Sequence, residues 1–487
     1  MDKPNILLIT TDTQRCDTLA FMGHPHALSP NLDRLAAEGV WFEDAYTASP
    51  VCSPARCSLL TGVYPPVHGC IENGIGRRDD LPVFPDLLKA QGYWNIMVGK
   101  THFGPIPSSF DVVHHTGEKK QDIPDAYASF IRRHGFPRAA SVPNPVPEHL
   151  CQDAFIVDTT MQEIDRWSAR ERSRQQGGGR PFFAYCSMVS PHGPFDPPGS
   201  WASLYDGVQL PPVRYEEGEL ERMPRQLINL LGLHGEKAEQ LRRMLSTAEG
   251  RTQVDAIRRL YYGLTAYCDD QIGRLLDYLN TRGLRESTLI LFTSDHGATL
   301  FDHGFNDKHN YYDTAWRVPL IMSMPGTLPQ GRKMGFAAWT DITATIVGAA
   351  GADCDTMQGF NLFAPLAQGS APERICVAAT LYQSAALCTK RWKLEYYFTE
   401  GSGRLFDRLR DPSEHRDLYS QPAYESLRNE LVAALLNWHA GLLDWHRLKT
   451  HATDAPEGHV AVRVTDMVAR ERALSCEIRL NDRMAAL

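Results

Sequence analysis

The chain has 487 residues, of which 43% are hydrophobic, and its 58 acidic residues exceed its 50 basic ones to give a formal net charge of -8. This composition is ordinary for a soluble globular protein. The acidic balance and the lack of a long run of lysine and arginine argue against a nucleic acid or an anionic membrane as partner. Small anions remain possible ligands where positive charge is gathered locally.

The amino-terminal sequence and the cysteines bear on where the protein resides. The apolar run from Ile6 to Ile9 is too short for the core of a signal peptide, and no later stretch approaches the ~20 apolar residues of a membrane-spanning helix. The 11 cysteines are odd in number and no two have the spacing C-x-x-C. This pattern is typical neither of a disulfide framework nor of a cysteine-rich zinc site. The sequence therefore predicts a cytoplasmic protein without a membrane partner.

Strand and helix patterns alternate along the first part of the chain. They predict a buried strand over Asn5 to Thr11, helices over Asn31 to Gly39 and Phe84 to Gly92, and strands over Trp94 to Val98 and Phe182 to Val189. The segment 105–150 is rich in proline, histidine and charge and is predicted to be irregular. The segment 199–253 is polar and is predicted to be a mostly helical insertion.

The clearest predicted unit is a helix followed directly by a strand. Apolar residues recur at helical spacing from Ile257 to Leu279, and a strand is predicted over Thr288 to Thr293. Repeated alternation of this kind predicts the α/β class. The expected architecture is a large, mostly parallel sheet flanked by helices on both faces.

The pattern changes beyond about residue 370. Short strands are predicted near Val377 and over Trp392 to Phe398, followed by an amphipathic helix over about 423–445. These elements predict a smaller, antiparallel α+β subdomain. We divide the chain into an amino-terminal domain over 1–369, this small-sheet subdomain over 370–449, and a tail over 450–487 that is a candidate contact in a homo-oligomer.

Polar residues follow two of the predicted strands at their carboxyl ends. Asp12 follows the first strand, and Asp295 with His296 follows the strand that ends at Thr293. Ligands of open parallel sheets collect at this edge, and two carboxylates with an imidazole suit a divalent cation. Each aspartate could instead cap the turn that follows it.

A second feature is the sequence Cys52-Ser53-Pro54-Ala55-Arg56. Ser53 is a natural N-cap and Pro54 suits the first helical position, so a helix is predicted to begin there. Cys52 would then lie just outside the positive end of that helix, and Arg56 would add a cation nearby. The alternative is that Cys52 is an ordinary loop thiol and Arg56 a surface charge.

These residues, followed by Leu60-Thr61-Gly62, resemble the sulfatase signature C-x-P-x-R…L-T-G. Further segments resemble family motifs in family order over most of the chain: Asn5 to Asp12, Ser29 to Leu35, Gly99-Lys100-Thr101-His102, Ser190-Pro191-His192, Thr293 to Gly297, Lys308, and Arg317 to Leu320. The resemblance implies an alkaline-phosphatase-like fold, with a catalytic domain over 1–369, and hydrolysis of a small anionic ester.

The resemblance also implies a site. In this family a formylglycine-generating enzyme oxidises the signature cysteine to formylglycine, and the hydrated aldehyde is the nucleophile. The implied catalytic residues are Cys52, Arg56, Lys100, His102, His192 and Lys308, and the implied ligands of one divalent metal ion are Asp12, modified Cys52, Asp295 and His296. Lys100 and Lys308 would hold the transferring group, His192 would protonate the leaving oxygen, and His102 would deprotonate the second hydroxyl.

One departure from the family pattern concerns the metal. Many sulfatases have two adjacent aspartates in the first motif, whereas this chain has Asp12-Thr13. The family implies Ca²⁺, and the reduced charge together with His296 makes Mn²⁺ the alternative. Some phosphonate monoester hydrolases also carry a neutral residue there.

The sequence thus predicts an arylsulfatase-like enzyme. The first alternative is a phosphonate monoester or phosphodiester hydrolase on the same scaffold, against which Lys100 and His102 argue because they resemble the sulfate-gripping motif. The second is a non-catalytic binding protein that retains an unmodified Cys52.

Overall fold

The computed structural model describes residues 3–117, 124–137, 141–173, 179–370 and 374–450, with side chains up to 442. The predicted tail lies outside the described residues from 451 onward, so its role in an oligomer stays a prediction. Within the described ranges, no helix combines the length and the apolar character needed to cross a membrane.

The larger sheet has eight strands. They are β1 (Asn5–Thr11), β2 (Val40–Tyr46), β3 (Trp94–Lys100), β4 (Val112–Thr116), β5 (Phe182–Ser187), β6 (Thr288–Ser294), β7 (Leu320–Ser323) and β8 (Arg332–Ala338). Their order is β4-β3-β5-β1-β6-β7-β2-β8, and β7 runs antiparallel to both of its neighbours. The other pairings are parallel. The fold class predicted from the sequence is therefore confirmed.

Helices cover both faces of this sheet. The α-helices of the described residues are α1 (Pro30–Ala37), α2 (Cys52–Thr61), α3 (Pro65–His68), α4 (Phe84–Ala90), α5 (Ala126–Arg133), α6 (Gln152–Arg172), α7 (Glu219–Arg222), α8 (Arg225–Leu231), α9 (Gly235–Ser246), α10 (Ala248–Thr281), α11 (Asp313–Trp316), α12 (Trp339–Ala349), α13 (Phe363–Ala367) and α14 (Glu425–Thr450). Because side chains alternate along a strand, β1 contributes to two cores. Ile6 and Leu8 pack with α2, α4 and α12, whereas Leu7 and Ile9 pack with α1, α6 and α10.

A second, smaller sheet follows. Its strands β9 (Cys376–Leu381), β10 (Ser384–Thr389), β11 (Trp392–Tyr397) and β12 (Ser402–Asp407) pair antiparallel in the order β12-β11-β10-β9. Leu431 and Leu435 of α14 pack on Leu394 and Leu405 of this sheet. The predicted antiparallel elements beyond residue 370 are present, while the boundary between 369 and 370 stays a prediction.

Some predictions were wrong in extent. The segment 105–150 is not wholly irregular, because β4 pairs with the edge of β3 and α5 packs beside it. The helix predicted over Ile257 to Leu279 begins at Ala248, where the Thr247 side chain accepts a hydrogen bond from Gly250 N and caps it. β2, β7 and β8 lacked a clear sequence signal because their pairing depends on partners distant in the chain.

Candidate active site

The predicted metal ligands lie at the carboxyl edge of the larger sheet. β1 and β6 are neighbours in register, with Thr11 opposite Ser294, so Asp12 and Asp295 leave the sheet side by side. Both aspartates are fully buried. Asp12, Cys52, Asp295 and His296 each offer one ligand atom, and these atoms all lie within 4.8 Å of one another.

The orientation of His296 fits a metal centre. Its Nδ1 donates to the carbonyl oxygen of Gly297 at 2.8 Å, which places the proton on Nδ1. In the neutral ring Nε2 is then the nitrogen that can bind a metal ion, and it lies 3.1 Å from the Cys52 Sγ. Fixing a ligand histidine through its other nitrogen is the usual arrangement in metal sites.

The helix that carries Cys52 begins two residues earlier than its sequence suggests. α2 starts at Cys52 itself with Val51 as N-cap, so the prediction that Ser53 is the N-cap was wrong. The reason is that the Ser53 N–H donates to Oδ1 of Asn73 at 3.0 Å, so a side chain from a distant loop satisfies this end of the helix. Cys52 still lies in the first turn, where the positive end of the helix dipole favours negative charge.

The position of α2 is fixed by a neighbouring helix and by a glycine at its end. In α12, Trp339 Nε1 donates to the carbonyl oxygen of Ala55 at 2.8 Å, and Thr343 Oγ1 donates to that of Leu59 at 2.7 Å. Gly62 ends α2 at φ 73°, and a Cβ at this position would lie 2.6 Å from Met357. The third position of the L-T-G segment therefore requires glycine both for its backbone conformation and for space.

Arg56 is a buried link between the two aspartates. Its Nε donates to Oδ2 of Asp295 at 2.8 Å, its Nη2 to Oδ2 of Asp12 at 2.9 Å, and its Nη1 to Oγ of Ser187 at 2.8 Å. The side chains of all three charged residues are at most 1% exposed. Arg56 is therefore not a surface charge, and its planar donor set fixes both carboxylates.

Two lysines bring further positive charge to the same point. Lys100 Nζ lies 2.8 Å from Oδ2 of Asp12, and Lys308 Nζ lies 3.0 Å from the Cys52 Sγ. Burial alone would raise the pKa of Asp12, but Lys100, and then His192, hold it well below its usual range. Burial would likewise raise the pKa of the Cys52 thiol, and Lys308 lowers it well below its usual value. The site therefore stabilises negative charge at position 52.

The remaining predicted residues line a cavity of about 560 Å³ beside Cys52. His192 Nε2 lies 3.2 Å from Lys308 Nζ and 4.0 Å from Oδ1 of Asp12. His102 lies on the cavity wall with φ 47°, a left-handed conformation that is costly for a residue other than glycine. The structure therefore brings all the predicted catalytic residues and metal ligands to one place.

Other residues of the site were missed in the sequence. Asn73 lines the cavity and its Oδ1 accepts a hydrogen bond from the start of α2, but it belongs to none of the motifs identified in the sequence. The cavity is also lined by residues from α5, the segment between α5 and α6, α6, α10 and the loop after β5, among them Tyr127, Asn144, Asp153, Asp196, Leu264 and Tyr267. No sequence motif indicates these residues, because the periodicity of a helix does not predict which of its residues lines a cavity.

Comparisons with known proteins identify the family of the chain. The family model Sulfatase matches residues 4–352, and the model for the C-terminal region of N-sulphoglucosamine sulphohydrolase matches residues 301–440. The multifunctional alkaline phosphatase superfamily protein PehA of Trinickia caryophylli is 26% identical over 528 residues, covering 94% of this chain and 99% of the relative. An arylsulfatase of Clostridium perfringens is 27% identical over 493 residues, covering 92% and 97%.

A solved structure shares the fold. The phosphonate monoester hydrolase of Agrobacterium radiobacter superposes with a TM-score of 0.75 at 23% identity, covering 90% of this chain and 96% of that one. Because the Sulfatase model spans residues 4–352 of the 487, the chain belongs to the sulfatase family, the sulfuric ester hydrolases of the alkaline-phosphatase-like superfamily.

Proposed function

We propose that the protein hydrolyses a sulfate ester by an arylsulfatase-like reaction whose nucleophile derives from Cys52. The observation that carries this proposal is the set of groups around one atom. The Cys52 Sγ lies 3.1 Å from His296 Nε2 and 3.0 Å from Lys308 Nζ, at the positive end of α2. These neighbours would stabilise an anionic oxygen in the same place.

The proposal includes conversion of Cys52 to formylglycine by a formylglycine-generating enzyme. The sulfur then stands where a hydroxyl oxygen of the hydrated aldehyde would lie. An unmodified thiol or a serine would form an ester that has no internal route to release sulfate. A hydrated aldehyde carries a second hydroxyl on the same carbon, whose deprotonation expels sulfate and restores the aldehyde.

The proposed cofactor is one divalent metal ion held by Asp12, Asp295, His296 and the modified residue 52. When bound, the ion would polarise the non-bridging oxygens of the ester and favour ionisation of the hydroxyl at position 52. Thr13 has no carboxylate to add to this ligand set, and its hydroxyl donates to Oδ1 of Asp12 at 2.8 Å. Ca²⁺ is the ion implied by the family, and the imidazole ligand makes Mn²⁺ the alternative.

The residues of the chain supply the remaining steps. Arg56 holds Asp12 and Asp295 in place, while Lys100 and Lys308 bind the oxygens of the transferring group. The oxygen at position 52 attacks sulfur, the bond between sulfur and the ester oxygen breaks, and His192 protonates the leaving oxygen.

The second step restores the site. His102 removes the proton from the second hydroxyl at position 52, the bond between carbon and the sulfate oxygen breaks, and sulfate leaves as the aldehyde reforms. Water then hydrates the aldehyde for the next cycle. His102 and His192 lie on the wall of the same cavity, as this division of roles requires.

The alternative substrate is a phosphonate monoester or a phosphodiester, and Thr13 is the observation in its favour. Against it, Lys100 would supply a cation and His102 a proton acceptor, and both residues resemble the family motif that binds sulfate. We expect an aryl sulfate to be hydrolysed with a kcat/KM at least about tenfold above that of the matched aryl phosphonate monoester, a difference of ~1.4 kcal/mol. Steady-state kinetics with the same phenol as leaving group measures this ratio, and a ratio that favours the phosphonate would reverse the assignment.

Removal of the metal is expected to lower activity and stability together. Dialysis against a chelator should reduce kcat/KM more than about 100-fold, because the ion contributes several kcal/mol to transition-state stabilisation. At a concentration 100 times its Kd, the ion should also stabilise the fold by about 2.7 kcal/mol.

Elemental analysis, with Ca²⁺ and Mn²⁺ added back separately, identifies the ion. An Asp295→Asn variant that bound the metal as tightly as the unchanged protein would argue against this ligand set.

A further inference from the structure

Groups of opposite charge line the cavity beside Cys52. Lys100 and Lys308 lie beside Asp12 and Cys52. Asp153 and Asp196 line the same cavity more than 4.0 Å from either lysine, together with apolar and aromatic side chains, and we call this part the acidic half. We propose that this acidic half binds a positively charged leaving group, so that the preferred substrates are sulfate esters of alcohols or phenols that carry an ammonium group. The inference rests on the proposed function and names its substrate class.

Neither carboxylate is paired with a cation from the described residues. Asp153 is 2% exposed, and its Oδ1 accepts hydrogen bonds from the backbone N–H groups of Val189 at 2.9 Å and Ser190 at 3.5 Å. Among the described residues, no lysine, arginine or histidine lies within 4.0 Å of either Asp153 or Asp196. A carboxylate taken out of water without a counter-ion is costly. A cationic ligand between the two would remove that cost.

The two aspartates also act on each other. Burial raises the pKa of Asp196 to about 6, and the negative charge of Asp153 adds to the rise. Burial likewise raises the pKa of Asp153. The polar neighbour of Asp196 is an amide: Asn144 Nδ2 donates to the Asp196 backbone carbonyl at 2.9 Å and lies 3.4 Å from its Oδ2. An amide orients the segment without neutralising its charge.

Aromatic and apolar residues complete this half of the cavity. Tyr127 and Tyr267 are 5% and 1% exposed and line it together with Val146, Cys151 and Leu264. The Tyr267 hydroxyl donates to the carbonyl oxygen of Glu148 at 3.2 Å, which holds the ring in place. Tyrosine rings attract ammonium groups through their π electrons, and more strongly where water is excluded.

The same charge pattern discriminates among esters. A substrate with sulfate at one end and an ammonium group at the other complements both halves, whereas a second anionic group would face Asp153 and Asp196. A neutral hydroxyl could accept or donate hydrogen bonds there, but it would leave two carboxylates without compensation. The geometry therefore points to charge, in addition to hydrogen bonding, as the basis of selection.

The test compares three aryl sulfates with para substituents of similar size: 4-(aminomethyl)phenyl, 4-ethylphenyl and 4-(hydroxymethyl)phenyl sulfate. Full-length enzyme with the modified residue and bound metal is used throughout. We expect kcat/KM for the ammonium ester to exceed both others by about tenfold or more, mainly through KM. Asp196→Asn should reduce that preference about tenfold. The matched control is Asp206→Asn, which changes an exposed aspartate that does not line the cavity and should leave the preference unchanged.

The outcomes separate the inference from the function on which it rests. Equal kcat/KM for the three sulfates, or a preference that Asp196→Asn does not alter, would overturn the inference and leave the sulfatase activity standing. If kcat/KM for the hydroxymethyl ester equalled that for the ammonium ester, hydrogen bonding instead of charge would explain the selection. That result would also overturn the inference. If enzyme with verified aldehyde and metal hydrolysed none of the three, the proposed function would fail, and the inference with it.

Discussion

Replacement of Cys52 by alanine is expected to abolish ester hydrolysis while the protein stays folded. An alanine cannot be converted to the aldehyde, so the change removes the nucleophilic oxygen of the proposed reaction. The kcat should therefore fall by about four to six orders of magnitude, the range found when a catalytic nucleophile is deleted. Folding should be little affected, because Cys52 is a small side chain whose removal costs about 1–2 kcal/mol. Burial lowers the pKa of Lys308, and Cys52, then Asp12 and Asp307, raise it above its usual value. The variant loses the contribution of Cys52 and keeps those of the two aspartates.

Cys57 provides the matched control for this prediction. It lies in the same helix and is also 1% exposed, but it packs in the hydrophobic core instead of lining the cavity. Cys57→Ala should lower the melting temperature about as much as Cys52→Ala and retain hydrolysis. Initial rates with an aryl sulfate and thermal unfolding of both variants make the comparison. A Cys52→Ala enzyme that kept its rate would remove residue 52 from the mechanism.

Replacement of Arg56 by alanine should have the largest effect on stability. Arg56 pairs with Asp12 and Asp295 at 2.9 and 2.8 Å, and its loss leaves two buried carboxylates without their shared cation. Breaking a buried ion pair by removing one partner typically costs 3–5 kcal/mol. Hydrolysis should fall as well, because the same carboxylates are the proposed metal ligands. A lysine at this position cannot reproduce a planar donor set that contacts both aspartates. Arg56→Lys should therefore recover only part of the stability and activity that Arg56→Ala loses.

Denaturant unfolding of the metal-free protein measures the free energy of unfolding, and kcat/KM for an aryl sulfate measures the activity. Arg34 is the control, because its pair with Asp277 has side chains that are 40% and 63% exposed. Arg34→Ala should change the free energy of unfolding by less than about 1 kcal/mol. If Arg56→Ala unfolded at the same denaturant concentration as Arg34→Ala, the buried network would not contribute as its geometry indicates.

The part of the site that follows strands was accessible from the sequence. A buried strand pattern places its next residue at the carboxyl edge of a parallel sheet, so Asp12, Asp295 and His296 could be grouped before their distances were known. The adjacency of β1 and β6 was not accessible, because strands that lie side by side are far apart in the chain. The roles of the individual catalytic residues stay predictions.

The residues that were missed fall where local rules give no information. Asp153 lies in α6 and Asp196 in a loop rich in proline, and only the folded chain brings both to the cavity. Ser53 shows the converse error. Its local preference for the N-cap position was overridden by Asn73, a partner that helix rules do not include.

The central claim is that hydrolysis depends on an aldehyde at position 52. Peptide mass spectrometry of the segment that contains residue 52 gives the fraction of aldehyde, and the rate constant for an aryl sulfate is measured on the same metal-loaded preparations. We predict that the rate is proportional to the aldehyde fraction and extrapolates to zero when only the thiol is present. Full activity in a preparation whose residue 52 is entirely thiol would contradict the account.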